Sequence, residues 1–290
     1  MEPAGMIRVE VPVDWLRRFG VDANEPTIYW IDRYPVTYAD YKEFVDDSGW
    51  TPPIRNLVRP FGSENLKYLW NGGKQFGSEL VRMPMIFVSW YDALAYAEWK
   101  DCSLPTLFEW SYAALGPESY RYPWGNGRWD KARSNNRSPS ADYAWTIPPL
   151  TPVDAYPRGA SPFGCLDMLG NVEEWCFNPR SDVLDGGTPT GEPGFGRFPE
   201  ALVPAYFPGD RMGRCAMGRD RQQPARGEPH WNEHPANLRS PLVGFRCVWH
   251  PPVRRHWRSE ASPTAQLPCS GREYLRKVMS WMQTDDLSNA

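Results

Sequence analysis

The stretch that decides how this chain folds is "GCLDMLGNVEEWC", Gly164 to Cys176. It sets a Gly-Asn pair, two adjacent carboxylates and a tryptophan between two cysteines. Gly170 and Asn171 are turn formers, because both tolerate the left-handed backbone of a tight reversal. Trp175 is expected in the interior, and Cys165 and Cys176 as reduced structural thiols. The same residue types could also serve a metal site or catalysis, so the surrounding sequence has to decide.

Composition narrows the choice. The 290 residues are 41% hydrophobic and 23% charged, which describes a globular chain, long for one domain but not too long. A net charge of −3 offers no electrostatic footprint for a nucleic-acid backbone, so no nucleic-acid partner is expected. With 31 Pro and 24 Gly alongside 15 Trp, the chain should fold through short elements and long ordered loops that bury large rings. The start, "MEPAGMIRVEVPVDWLRRFG", lacks the pattern of a signal peptide. No apolar run reaches the roughly 18 residues of a membrane span. Cysteines 102, 165, 176, 215, 247 and 269 lie far apart without a C-x-x-C pair, which disfavours zinc. Reduced thiols and a cytoplasmic location are the resulting expectation.

Hydrophobic spacing predicts a strand at Ile28 to Ile31, then a helix after Thr37 with Tyr41, Phe44 and Val45 inside. Residues 48–84 read as a surface loop excursion. "MPMIFVSWYDALAYAEWKDC" predicts an apolar run and a helix capped by Ser89 or Asp92, with Trp90, Ala93, Leu94 and Ala97 inward. "LPTLFEWSYAALG" predicts another, with Pro105 near its start and Gly116 at its end. Residues 117–250 read as turns with short strand-like pieces, the last being "VGFRCVWH". A linker is expected over 251–270. An amphipathic helix over 271–283 places Leu275, Val278, Met279 and Met282 on one stripe, docked on its own domain or on a partner.

Order now carries more than any single piece. "IDRYPVTYADYKEFV", "MIFVSWYDALAYAEW", "LPTLFEWSYAALG", "YPWGN", "VDAYPRGASPFGCLDMLGNVEEW" and "VGFRCV" follow one another. This series resembles the formylglycine-generating-enzyme, or sulfatase-modifying-factor, family over roughly residues 5–250. The resemblance implies a single α+β domain related to C-type-lectin folds, with low regular secondary structure and long ordered loops. Family members include copper-dependent oxidases, iron-dependent sulfoxide synthases with an added helical domain, and accessory or recognition modules. Some of the last are hypervariable retroelement proteins that diversify residues close to the chain end.

Each class makes a demand on this chain. The oxidases need two thiolates close together, because soft thiolates select Cu(I). Cys215 falls where the family has Gly-Gly, and the next cysteine is Cys247 in the terminal Gly-Phe-Arg-Cys segment. The pair is missing, so copper is disfavoured and Cys215 and Cys247 are the remaining catalytic candidates. Iron is disfavoured too, because the family landmarks begin almost at the first residue and leave no room for the helical domain. "HWNEH" nominates His230 and His234 as metal ligands, with Glu228 or Glu233 beside them, but Pro229 and Pro235 bracket it. As a metalloprotease pattern it would need a helix there. The resemblance implies a structural calcium ion held by Asn136, the Arg137 backbone, Asn171, the Val172 backbone and Glu174. Three family motifs differ: Glu173 stands where an aromatic is usual, Tyr38 where an asparagine is usual, and "SLPTL" loses an arginine and a first-turn carboxylate. The leading expectation is a non-catalytic module that binds a protein, a peptide or a small molecule through segments 205–243 and 50–82. Arg214, Arg219, Arg221, Arg226, His230 and Trp231 are its candidate contacts, since Arg and Trp anchor recognition surfaces. The alternative is a metal-dependent oxidoreductase of the same family acting on a cysteine or other thiol with altered ligands.

Overall fold

Two runs of alternating, β-branched residues open the fold. "MIRVEV" forms strand β1 (Met6–Val11) and "TIYWID" forms β2 (Thr27–Asp32), paired antiparallel from Met6 opposite Asp32 to Val11 opposite Thr27. Val9 and Val11 point inward while Arg8 and Glu10 face out, the two-residue period of a half-buried strand. Helix α1 (Val13–Arg18) links them, and β7 (Val248–Trp249) joins the far side of β2. The computed structural model describes residues 3–18, 24–50, 67–70, 75–138, 147–179, 213–220 and 231–251. The expected linker from residue 252 onward and the helix over 271–283 lie outside the described residues.

Three helices start on the same device. In α2 (Tyr38–Ser48), α3 (Trp90–Trp99) and α4 (Leu107–Leu115), a Ser or Thr cap exchanges hydrogen bonds with a carboxylate three residues on. The pairs are Thr37 with Asp40, Ser89 with Asp92 and Thr106 with Glu109. Each satisfies backbone N–H groups that the first helical turn leaves open. Glu109 thus supplies to α4 the first-turn carboxylate that "SLPTL" seemed to lack. Gly49 and Gly116, both at positive φ, end α2 and α4.

The expected surface excursion over 48–84 is corrected by the structure. Trp50, Tyr68, Trp70 and Leu80 are buried members of the main core. Tyr38 explains the difference: its hydroxyl donates to the Tyr68 carbonyl at 2.7 Å, and its ring stacks on Trp70. Tyr68 in turn accepts from the Leu150 amide at 3.1 Å.

A second sheet lies in the region read as turns with short strand-like pieces. Its order is β5–β4–β3–β6, with β3 at Glu173–Pro179, β4 at Gly213–Met217, β5 at Trp231–Pro235 and β6 at Val243–Gly244. β3 pairs antiparallel with β4 and parallel with β6, and its register shifts between Trp175 and Pro179. β3 divides the interior. Trp175 belongs to the core that holds Trp90, Tyr96 and Phe245, while Cys176 belongs to the one that holds Tyr29, Trp110 and Val248. Both buried indole N–H groups find carbonyls, Trp175 at Val88 (2.9 Å) and Trp90 at Cys176 (2.8 Å). No described helix is long and apolar enough to cross a membrane.

Candidate functional site

The opening stretch meets the Gly-Phe-Arg segment in a buried ion pair. Glu174 and Arg246 are both fully inaccessible. Arg246 Nε donates to Glu174 Oε2 at 2.5 Å and Nη2 to Oε1 at 2.7 Å, the two-pronged geometry that suits a guanidinium to a carboxylate. The remaining guanidinium hydrogens reach the carbonyls of Asp32 (3.0 Å) and Leu166 (2.8 Å), and Trp110 Nε1 donates to Glu174 Oε2 at 2.7 Å. Burial alone would lower the pKa of Arg246, but the Glu174 carboxylate overrides it and raises it. This pair joins β2, β3 and the loop before it, α4 and the segment between β6 and β7.

The turn before β3 is held by amides. Asn171 sits at φ 63°, its backbone N–H reaching Asn135 O at 3.0 Å. Its Oδ1 accepts from the Thr151 N–H and Asn135 Nδ2, each at 3.2 Å. Its Nδ2 donates to Thr151 O and Asp167 Oδ2 at 2.9 and 3.0 Å. Gly170 is required here, since a Cβ would lie 2.5 Å from Asn136 Oδ1 and its φ is 99°. Two side chains of the calcium set that the resemblance implies carry hydrogen bonds within the protein. Glu174 is committed to Arg246 and Trp110, and the Asn171 oxygen to two protein donors. Asn136 Oδ1 is the oxygen of that set that is buried without a hydrogen bond, while Asn136 Nδ2 donates to Asp220 O at 2.9 Å.

Asp167 gives this turn a pH dependence. Burial pushes its carboxyl up to about 7, against the opposing pull of the Asn171 amide and Arg246. Between about pH 4 and that value the folded chain binds more protons than the unfolded one, so stability falls as pH rises through the window. Asp167→Asn should flatten that slope, and melting curves of both proteins across the range will show it. Parallel curves would refute the assignment.

The described thiols are sealed. Cys165, Cys176 and Cys247 are fully buried, and Cys102 is partly exposed. Burial, partly offset by Arg246, brings Cys165 up to about 11. Burial and the Asp32 charge raise Cys247 well above the ordinary thiol value. The Cys247 amide donates to Asp32 Oδ2 at 2.9 Å, while Lys100 Nζ reaches Oδ1 at 3.2 Å. Thiols raised in this way stay protonated at neutral pH, and a thiol is a weaker nucleophile and metal ligand than its thiolate. Iodoacetamide at about pH 8 should label Cys102 first and spare Cys165, Cys176 and Cys247 until denaturant is added, as peptide mapping would reveal.

The segment "WNEHP" is a strand, not a helix, so the metalloprotease geometry does not form over its described residues. Asn232 and His234 both reach Glu173 of β3: Asn232 Nδ2 donates to Oε1, and His234 Nε2 lies 2.8 Å from Oε2. The sequence reading missed Glu173 and Asn232, although Glu173 had stood out as a departure from the family aromatic and Asn232 precedes His234 by one strand period. Among the described residues no group of three His, Cys, Asp or Glu is placed to hold a metal ion.

The remaining candidates scatter. In the backbone, Cys215 of β4 pairs with Glu233 and Arg214 with His234, and Trp231 begins β5 opposite Met217. Arg219 is half-buried just after β4, and Arg137 is half-buried beside Asn136. Arg221, Arg226, Glu228 and His230 lie outside the described residues.

Comparison with known proteins now decides the family. Residues 21–251 match the model of the sulfatase-modifying factor enzyme 1-like domain. The chain belongs to this family. A mouse member named inactive C-alpha-formylglycine-generating enzyme 2 is 35% identical over 185 residues, 53% of this chain and 59% of that protein. A hercynine oxygenase of Mycolicibacterium smegmatis is 32% identical over 164 residues, 51% of this chain and 37% of that enzyme. The chain thus spans only part of the length of the curated relatives it matches. Among solved structures, CarF aligns at TM-score 0.54 and 17% identity, covering 86% of this chain and 99% of CarF, which establishes the fold. It is the formylglycine-generating, C-type-lectin-like fold, mixed in helix and strand and low in regular structure. Within the sulfatase-modifying factor family, the Glu174–Arg246 pair is where the two most recognisable motifs of this chain meet.

Proposed function

We propose that this chain does not generate formylglycine and instead binds a protein or peptide partner through segment 205–243, which includes strands β4 and β5 of its second sheet. Thiol placement supports this reading. After Cys215 the next cysteine is Cys247, a buried thiol raised in pKa and held against Asp32, which cannot serve as the exchanging partner of a thiolate pair. The name of the mouse relative is in keeping with it. The binding surface centres on 205–243, with Arg214, Arg219, Arg221, Arg226, His230 and Trp231 as its contacts. Segment 50–82 contributes less, because its described aromatics face the core. The hercynine oxygenase similarity favours the alternative, a metal-dependent oxidoreductase acting on a thiol. A calcium ion beside Asn136 is a separate proposal, resting on its unpartnered buried oxygen.

Elemental analysis of the purified chain, with a cysteine-peptide turnover assay, separates these readings. The binding reading expects neither stoichiometric copper or iron nor turnover. Metal at one equivalent together with peptide oxidation would overturn it. Stoichiometric calcium whose removal by chelator lowers the melting temperature would support the cation at Asn136, and calcium-free protein with an unchanged melting curve would remove it.

A further inference from the structure

The stretch "YPWGN" forms a tight reversal, with the Tyr122 N–H donating to Gly125 O at 3.2 Å and the Gly125 N–H to Tyr122 O at 2.9 Å. It lays Trp124 on Tyr122, with planes at 5° and centroids 5.0 Å apart. Tyr122 and Leu169 of the opening stretch form a small buried cluster, against which Trp124 and Trp129 pack. Two arginines lie over this stack. The guanidinium carbon of Arg121 is 5.5 Å from the Tyr122 ring centroid, and that of Arg133 is 5.8 Å from the Trp124 ring centroid. Arg133 is fixed further by Nη1, which donates to Arg158 O at 2.8 Å. Its own carbonyl sits so close to Gly159 that a Cβ there would lie 1.9 Å away.

Holding an arginine over a ring leaves most of its five N–H groups for an acceptor. It also limits beforehand the rotamer freedom that the side chain would lose on binding. Arg128 and Lys131 add two exposed cations to the same loop. Among the described residues, Arg121, Arg128, Lys131 and Arg133 have no carboxylate within ion-pair distance. Asp130, which lies among them in sequence, is 3.8 Å from Arg158 instead. The chain as a whole carries −3, so this loop runs against its overall charge. Neighbouring like charges repel, and an acidic partner relieves that repulsion.

We propose that the loop over residues 121–133 is a docking surface for an Asp- or Glu-rich segment of a partner protein. Arg121 and Arg133, held on the Tyr122–Trp124 stack, receive its carboxylates, whose paired oxygens match the guanidinium fork. This surface is separate from segment 205–243 and does not depend on what that segment binds.

Fluorescence anisotropy of a fluorescein-labelled octaglutamate peptide, titrated with the full chain at low salt, tests it. Octaglutamate should bind, octaglutamine should not, and added salt should weaken the complex. Arg121→Ala with Arg133→Ala should weaken it about tenfold or more. Lys42→Ala removes an exposed cation elsewhere and should change nothing. Arg121→Lys with Arg133→Lys keeps the charge but not the planar fork, so it should recover only part of the loss. If loss of Arg133 prevents folding, Arg121→Ala with Arg128→Ala carries the comparison, since both side chains are exposed. No octaglutamate binding, an equal loss in Lys42→Ala, or full affinity in the lysine variant overturns the surface. Phosphatidylserine vesicles or oligouridine that bind through these arginines more tightly than octaglutamate overturn the assignment to an acidic protein segment.

Discussion

Arg246→Met is expected to lower the unfolding free energy by about 3–5 kcal/mol, a large part of what holds a typical domain folded. The loss does not come from a missing attraction alone. Removing the guanidinium strands the Glu174 carboxylate, fully inaccessible, with only the Trp110 N–H still donating to it. It also leaves the carbonyls of Asp32 and Leu166 without their donors. Glu174→Met should cost a similar amount by stranding the cation instead. The double variant Arg246→Met, Glu174→Met should recover much of the loss, because two apolar side chains need no partners. Urea unfolding of the three proteins closes the cycle. Single variants within about 1 kcal/mol of wild type would show that the pair does not hold these segments together.

Asp92→Ala comes second, at about 3–5 kcal/mol for a stranded buried charge and about 1 kcal/mol for the lost helix cap. Asp92 is fully buried and receives the Ser89 N–H and hydroxyl, each at 2.7 Å, and Trp50 Nε1 at 3.1 Å. It also receives both terminal nitrogens of Arg239, whose side chain is only 10% exposed. One carboxylate therefore starts α3, fixes Trp50 in the core and neutralises an arginine from the segment after β5. Asp92→Asn keeps the shape and part of the cap but not the charge, so it should fall between wild type and alanine. Tryptophan fluorescence during urea unfolding reads the result, since Trp50 loses its anchor directly. Equal stability of the asparagine variant and wild type would mean that the Arg239 charge carries no weight.

The elements visible in the sequence are those whose cause is local. Thr37, Ser89 and Thr106 each precede a carboxylate by three residues and an apolar stripe, and each starts a helix. The strand at Ile28 to Ile31 is a β-branched and aromatic run that needs no distant partner to be recognised. The misreadings have a common cause in the opposite situation. Segment 48–84 is rich in Gly, Pro and Asn, yet the Tyr38 hydroxyl meets the Tyr68 backbone, and the described Trp50, Tyr68 and Trp70 lie inside. β4 and β5 are short, and β4 takes one ladder from β3, some forty residues upstream in sequence, and the other from β5, so no local period announces them.

"GCLDMLGNVEEWC" by itself determined the turn, and only in series with the other motifs did it point to the family. Gly170 and Asn171 require left-handed backbone, and that demand is written in the residue types. Nothing in those letters says that Glu174 will face Arg246 while its neighbour Glu173 faces His234. Successive side chains of an extended strand point to opposite sides, so two identical carboxylates enter two different environments. One becomes the buried centre of the fold, and the other holds an imidazole at its edge. Only the pairing of β3 with strands distant in sequence could decide which did which.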